Sequence, residues 1–222
     1  MRILLLSPVP PPVGGIASWT VNLLDYISEN NIDFDIIHQN TAHRHRNILK
    51  SKILNRFFDG IIESKRILSD LKKNINVYQP EVIHLTSSAS LALLKDILIT
   101  RIAGKRKIPL IIHWHFGRIP SIFLKQNWEW RLILYVIRRN SLSIVLDSKS
   151  YETLVNKGIK NVKYIPNPIS IQLEAKAGII HHDSKIIDST RLIFIGRLVR
   201  SKGIFELIEV CTELSLVCDL LL

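Results

Sequence analysis

The sequence predicts an α/β fold in which a parallel sheet is covered by helices. Apolar runs of strand length alternate with segments of helical period along nearly the whole chain, and that alternation is what crossover connections between parallel strands require. Size sets the scale: 222 residues, 47% of them hydrophobic, can bury one sizeable core but are short for two complete doubly wound domains. One complete domain and a shorter second unit are therefore expected.

The strands are read at Arg2 to Leu6, Phe34 to His38, Val82 to Leu85, Leu110 to His113, Ser143 to Leu146, Val162 to Ile165 and Leu192 to Ile195. In the first intervening segment Ile16, Thr20, Leu23, Leu24 and Ile27 share one face at helical spacing, so a helix over Ile16 to Glu29 should pack on the first strand. Ile48 to Lys73 reads as a long helix or a pair broken at Gly60, with Leu54, Phe57, Phe58, Ile61 and Leu68 inward. Ser88 to Ile102, Ser121 to Arg139 and Lys149 to Asn156 complete the helices of the first domain, and a last helix runs from about Gly203 to Leu214. Ile165-Pro-Asn-Pro-Ile169 interrupts regular structure, because two prolines remove backbone donors. The domains are thus expected at residues 1–169 and 191–222, with 170–190 as the linker.

The formal charge is +11, which favours anionic partners without choosing among nucleic acid, anionic lipid and phosphorylated ligands. Two cysteines, Cys211 and Cys218, have neither the number nor the spacing of a disulfide framework or a structural zinc site. A reducing, cytoplasmic setting fits. Ile3 to Leu6 is too short an apolar run for a secretory core, and no stretch reaches spanning length.

Three segments carry chemistry. Ser7 to Trp19 follows the first strand and opens the first helix, where ligands of open parallel sheets collect. Pro10, Pro11 and Pro12 stiffen it, while Gly14 and Gly15 leave its tip bare, so that backbone amides can face an anion. It is neither the dinucleotide fingerprint nor a Walker loop, and a plain strand-to-helix turn is the competing reading. Ile111-Ile-His-Trp-His-Phe-Gly117 ends the fourth strand, and residues two apart share a face. His113 and His115 can there hydrogen-bond a sugar hydroxyl while neutral, form a satisfied structural pair, or begin a metal site whose remaining ligands are not apparent. Phe194-Ile-Gly-Arg-Leu-Val-Arg-Ser-Lys-Gly203 brackets Arg197 and Lys202 between Gly196 and Gly203 ahead of a helix. A planar fork of donors, a point charge and bare backbone together suit a diphosphate.

Phe-x-Gly-Arg-x-x-x-Lys-Gly resembles the donor-phosphate loop of retaining GT-B glycosyltransferases, the glycosyltransferase family 4 group. Gly-Gly-Ile-Ala-Ser is similar to that family's glycine-rich first loop, and His113-Trp-His115 to its His-x-His-Gly segment, with Phe116 intervening before Gly117. Val145-Leu-Asp-Ser and Val162-Lys-Tyr-Ile-Pro-Asn-Pro resemble the end of its first domain, with Pro168 where glycine is usual. The bland alternative for that last pair is a helix cap at Ser148 and a hinge at Pro166.

The resemblance implies a GT-B fold: a complete Rossmann-like first domain, then the first βα unit of a second, nucleotide-sugar-binding one. It implies transfer of a sugar from a UDP- or GDP-sugar to an acceptor hydroxyl with retention, in cell-surface polysaccharide or glycolipid synthesis. His115 would be the catalytic residue beside the transferred sugar, with His113 and Asn167 as candidate sugar contacts. Gly14, Gly15, Gly196, Arg197, Lys202 and Gly203 would bind the donor. Arg197 and Lys202 would neutralise the leaving diphosphate, so no metal and no cofactor is expected. The family's Glu-x7-Glu segment comes later in the second domain, and Glu206, Glu209 and Glu213 follow the loop too closely to be it. A truncated form, inactive by itself, is the corresponding expectation.

From Arg44 to Lys73, nine cations face three carboxylates, with apolar residues interleaved. That suits a helix lying on an anionic membrane surface beside a lipid-linked acceptor, or an ordinary solvated helix face. Two other classes compete: a non-catalytic acceptor-binding remnant, and a basic nucleic-acid-binding protein. The second leaves Gly196 to Gly203 unexplained, so no nucleic-acid partner is expected.

Overall fold

The computed structural model describes residues 1–11, 13–30, 32–42, 53–168, 194–196, 198 and 200–213, without the side chains at 53–59 and 201. The chain divides into two compact units, Met1–Ile169 and Ser170–Leu222.

In the first unit β1 (Arg2–Ser7), β2 (Asp35–Asn40), β3 (Val82–Ser87), β4 (Leu110–Trp114), β5 (Leu142–Val145) and β6 (Val162–Tyr164) form one sheet. Its order is β2-β1-β3-β4-β5-β6 and every pairing is parallel. The helices are α1 (Gly15–Glu29), α2 (Ile53–Tyr78), α3 (Ala92–Lys105), α4 (Ile119–Lys125), α5 (Trp128–Ile137) and α6 (Ser148–Asn156). This is the expected α/β, Rossmann-like architecture. The order reverses between β1 and β3, which opens a crevice at the carboxyl ends of those strands.

Period-two alternation gives the sheet two different faces. Leu4, Leu6, Ile83, Leu85, Ile112 and Trp114 are fully buried and share one apolar core with Ile67, Leu71 and Ile75 of α2 and with Leu93, Ile99 and Ala103 of α3. Each large aliphatic group so buried contributes about 1.5–3 kcal/mol. The alternate positions Ser7, His84, Thr86 and His113 are polar and fall on the opposite face.

Four sequence expectations change. The segment from Ser88 does not start a helix, because Ala89 and Ser90 are both left-handed at φ 59° and 56°. The carboxylate of Glu129 captures the backbone N–H and hydroxyl of Ser90, and α3 begins only at Ala92. The helix expected over Ser121 to Arg139 is two helices. Gln126 is left-handed at φ 47°, and Asn127 caps α5 by accepting from the Trp130 N–H at 3.2 Å.

The long helix passes through Gly60 unbroken and continues to Tyr78. Its buried stripe is Glu63, Ile67, Leu71 and Ile75, whereas Ile61 is exposed; Leu54, Phe57 and Phe58 lie outside the described side chains. Finally, Phe194 and Ile195 are not in a strand; Leu192 is outside the described residues. The second unit, where described, is a 3-10 turn at Arg200–Lys202 followed by α7 (Ile204–Glu213).

Candidate functional site

The loop after β1 is fixed from below. The Ser7 and Thr20 hydroxyls are hydrogen-bonded, the Thr86 hydroxyl donates to Ser7 Oγ at 3.1 Å, and the Ser7 carbonyl accepts from Thr41 N at 3.2 Å. Above this anchor Gly14 and Gly15 are exposed, and a Cβ built on either would meet nothing within 4 Å. Gly14 is extended at φ −175°, a conformation open to any residue. Neither glycine is demanded by the fold around it. Pro12 lies outside the described residues.

Beside this loop stands a row of three histidines. The register places His84 opposite Ile111 and Thr86 opposite His113, so His84 and His113 share the polar face of adjacent strands. His115 N donates to the Ser87 carbonyl at 2.8 Å, which extends the strand line past Trp114. Ring centroids are 5.7 Å apart for His84 and His113, nearly parallel, and 4.1 Å apart for His113 and His115. Trp19 of α1 packs edge-on to all three, at 5.9 Å from His84, 5.0 Å from His113 and 4.9 Å from His115.

Nε2 of His84, both ring nitrogens of His113 and Nε2 of His115 are buried without a protein hydrogen-bond partner. Leaving such a group unmet costs about 1–3 kcal/mol, so each needs an explanation. The surroundings hold the rings neutral. Burial pushes His84 down to about 4. Burial first, then repulsion from His115 and His84, pushes His113 down to about 2. Burial and His84 push His115 down to about 4. At neutral pH each imidazole therefore offers one N–H and one lone pair.

The chain just beyond the row is held at Gly117, where a Cβ would come within 3.4 Å of Asp147 Oδ2. Asp147, not Ser148, caps α6: its Oδ1 accepts from Ser150 N and its Oδ2 from the Ser150 hydroxyl, both at 2.7 Å. Arg118 next to it lies 5.5 Å over the Phe116 ring and donates to Ser90 Oγ at 3.2 Å, with Glu129 at 3.6 Å. Phe116 thus packs under an arginine while the His-Trp-His geometry stays continuous with β4.

In the second unit, Gly203 is left-handed at φ +75°, a conformation that favours glycine. It passes the chain from the 3-10 turn into α7, donating to the Arg200 carbonyl at 3.1 Å. Lys202 is exposed, as is Gly196. Arg197 lies outside the described residues. Asn167 is exposed between Pro166 and Pro168.

The structure thus brings His113 and His115 together as the sequence implied and adds His84 and Trp19, which sequence reasoning missed. Among the described residues no group of three or more His, Cys, Asp or Glu is arranged to hold a metal ion. On α2, Lys65, Lys72 and Lys73 are exposed. Arg66 is engaged with Glu63 at 2.8 Å, Asp70 at 3.3 Å and the Ala42 carbonyl at 3.2 Å, so it is less available to a surface than its charge suggested. Arg44, Arg46, Lys50 and Lys52 lie outside the described residues, as does the side chain of Arg56. No described helix is long and apolar enough to cross a membrane.

The family described as Glycosyltransferase Family 4 matches residues 13–173. No curated protein sequence matches the chain. Among solved structures it is similar to UDP-GlcNAc 2-epimerase from Methanocaldococcus jannaschii, at 15% identity and a TM-score of 0.52, covering 100% of this chain and 66% of that one. The enzyme of the same name from Neisseria meningitidis, bound to UDP-GlcNAc, gives 13% identity and a TM-score of 0.54, again covering 100% and 66%. UDP-N-acetylglucosamine 2-epimerase from Rickettsia bellii gives 12% and 0.54, covering 99% of this chain and 61% of that one. The chain therefore spans less than two thirds of the length of these structures. At such identities the likeness is one of fold, and it is the GT-B-like fold that the sequence implied.

Proposed function

The chain belongs to glycosyltransferase family 4, and from that premise we propose that it serves transfer of a sugar from a UDP- or GDP-sugar to an acceptor hydroxyl, with retention of configuration. The observation that carries this is the neutral histidine row at the carboxyl edge of the sheet, beside the bare Gly14–Gly15 tip. Its polar atoms lack protein partners, and a sugar presents hydroxyls that can meet them. The fold relative from Neisseria meningitidis is bound to UDP-GlcNAc, which supports a nucleotide-sugar as the ligand class.

In this reading His115 contacts the transferred sugar, and its neutrality is useful. A neutral imidazole can donate to a hydroxyl or to an oxygen gaining negative charge without attracting the diphosphate itself. Lys202, with Arg197, supplies positive charge to the leaving diphosphate, the role a metal ion has in other transferases. The acceptor is proposed to be lipid-linked, as in polysaccharide or glycolipid synthesis. Exposed Lys65, Lys72 and Lys73 beside exposed Ile62 and Val77 give α2 a surface suited to anionic headgroups.

The test is calorimetric titration of the chain with UDP and GDP. Lys202→Ala removes a charge-assisted contact and should weaken the preferred nucleotide about ten- to a hundredfold, since such a contact contributes about 1.5–3 kcal/mol. Affinity that is the same in wild type and variant would remove Lys202 from the site. Because the chain spans less than two thirds of its fold relatives, the titration is repeated on the chain joined to the remainder of a nucleotide-sugar-binding domain, and absence of binding there would reject the donor reading and leave a non-catalytic acceptor-binding module.

A further inference from the structure

We propose that the first unit pairs with a second copy of itself through the amino edge of its sheet, the acidic half of that edge in one copy meeting the basic half in the other. This surface lies at the opposite end of the strands from the histidine row, and its pairing needs no nucleotide.

Charge is segregated along this edge in the order of the strands, β2-β1-β3-β4-β5-β6. Glu29 ends α1, Asp33 and Asp35 enter β2 and Glu81 enters β3, all exposed, with Arg2 and the Met1 amino group the cations beside them. Arg2 N donates to Glu81 Oε2 at 2.7 Å, Arg2 Nε to the Gln79 carbonyl at 3.1 Å and Asp35 N to the Met1 carbonyl at 3.1 Å, so these segments form one surface. Tyr26, Phe34 and Tyr78, from the same helix ends and turn, are exposed as well. The other half is opposite in sign. Exposed Lys105, Arg106 and Lys107 lead into β4, Arg138 and Arg139 into β5 and Lys160 into β6, with no carboxylate in any of the three turns. These turns too are joined, Leu110 N donating to Ser141 Oγ at 3.3 Å and Asn161 Nδ2 to the Asn140 carbonyl at 3.0 Å. Among the described residues none of these carboxylates and cations is in an ion pair.

The fold does not ask for this pattern. A cation at a helix C-terminus answers a partial charge of about −0.5, which accounts for part of the basic half but not for so many cations at the ends of α3, α5 and α6. Glu29, the last residue of α1, meets the same partial charge unfavourably. A polyanion or an anionic membrane would suit the basic half and be repelled by the acidic one. A second copy answers both. A two-fold axis normal to the sheet, passing between the amino ends of β3 and β4, reverses the strand order, so β2 of one copy faces β6 of the other and the three acidic-side strands face the three basic-side ones. The edge spans five strand intervals of about 4.8 Å, or about 24 Å, which suits a small, reversible interface. Tyr26, Phe34 and Tyr78 then stand where the partner copy's guanidiniums arrive, and an arginine binds an aromatic face as well as a carboxylate. The same axis keeps both copies of α2 on one side of the pair and leaves the two histidine rows at its opposite ends.

The experiment is sedimentation velocity of the whole chain over a range of about 5 to 200 µM, where small interfaces dissociate reversibly. Monomer should give way to dimer as concentration rises, and the dissociation constant should increase at least about tenfold as salt is raised from about 0.05 M to about 0.5 M. Arg106→Glu with Arg138→Glu reverses the basic half, and Asp33→Lys with Asp35→Lys reverses the acidic half. Each double variant should pair with itself at least about tenfold more weakly than wild type. Mixed one to one, the two should pair with each other within about threefold of the wild-type affinity, because each supplies the sign the other has lost. Circular dichroism checks the fold, and should a reversal unfold the chain, Arg106→Gln with Arg138→Gln and Asp33→Asn with Asp35→Asn should still weaken pairing about three- to tenfold. A monomer at every concentration in low salt, pairing that both variants leave unchanged, or a mixture that stays monomeric would each overturn the proposal. So would polyglutamate binding by a monomeric wild type that Arg106→Glu with Arg138→Glu abolishes, since the basic half would then belong to an acidic partner.

Discussion

Acidification should destabilise this protein through the histidine row. In the unfolded chain these imidazoles protonate at their ordinary value of 6.5, whereas in the fold His84 and His115 resist until about 4 and His113 until about 2. Their folded values are depressed, so below pH 6.5 the unfolded state binds protons that the folded state refuses. Stability is therefore full above about pH 7 and falls as pH drops through 6.5 toward 4. At pH 5 each residue contributes a loss of about 2 kcal/mol, and the three together about 6 kcal/mol, comparable with the whole stability of an ordinary domain. The limiting slope is three protons, or about 4 kcal/mol per pH unit. Urea unfolding followed by tryptophan fluorescence at pH 7.5, 6.5, 5.5 and 5.0 measures it. His113→Asn keeps a polar group in the row and should reduce the slope by about one third, because one proton no longer enters on unfolding. Wild-type stability that is flat from pH 7.5 to 5.5, or an unchanged slope in the variant, would show that the row does not exclude protons.

Gly14→Ala and Gly15→Ala should leave the melting temperature within about 2 °C of wild type, since a Cβ meets nothing at either position. If a phosphate or sugar approaches this tip, the same variants should weaken UDP or GDP several-fold by calorimetry; loss of stability instead would mark a structural turn. Asp147→Ala removes the α6 cap and the Ser150 hydroxyl's acceptor, and should lower stability by about 0.5–2 kcal/mol in urea titration. Co-sedimentation with vesicles should require anionic lipid and weaken with salt, as Lys65, Lys72 and Lys73 act over a Debye length of about 10 Å at 0.1 M; equal binding to neutral vesicles would count against the α2 surface.

The six strands of the first unit were legible as apolar runs between breakers, as in Leu110–Trp114 between Pro109 and Gly117, whereas Phe194 and Ile195 carry the same pattern and are not in a strand. Helix boundaries failed where a distant group decided them. Ser88-Ala-Ser-Leu-Ala carries no local signal against helix, yet Glu129, 39 residues away from Ser90, holds that loop open. Asn127 was a visible cap signal, hidden by apolar periodicity that ran straight across it. Half of the candidate site was readable as His-x-His at a strand end. His84 was visible only as one polar position in Ile83-His84-Leu85-Thr86, and its meaning depends on the register with β4, which is a tertiary fact. Arg66 shows the opposite error: a cation counted toward a surface is spent on Glu63, Asp70 and a carbonyl.

The two faces of the sheet explain how the first unit tolerates so many unmet polar atoms. The β1–β3–β4 strands put every second residue into an apolar core that α2, α3 and α5 close, and this face contains no histidine. Its burial gives a surplus from which the other face can be paid at about 1–3 kcal/mol per orphaned nitrogen. On that other face Trp19 packs edge-on to the row and His84 stacks on His113, and none of the four orphaned ring nitrogens is held by a protein hydrogen bond. Preorganisation follows from the division of labour: the apolar face fixes the strand register, the register fixes the spacing of His84 and His113, and Trp19 fixes the tilt of the rings. Converting His84 or His113 to leucine should then stabilise the fold while removing the polar surface it presents, the trade expected of residues retained for binding rather than for folding.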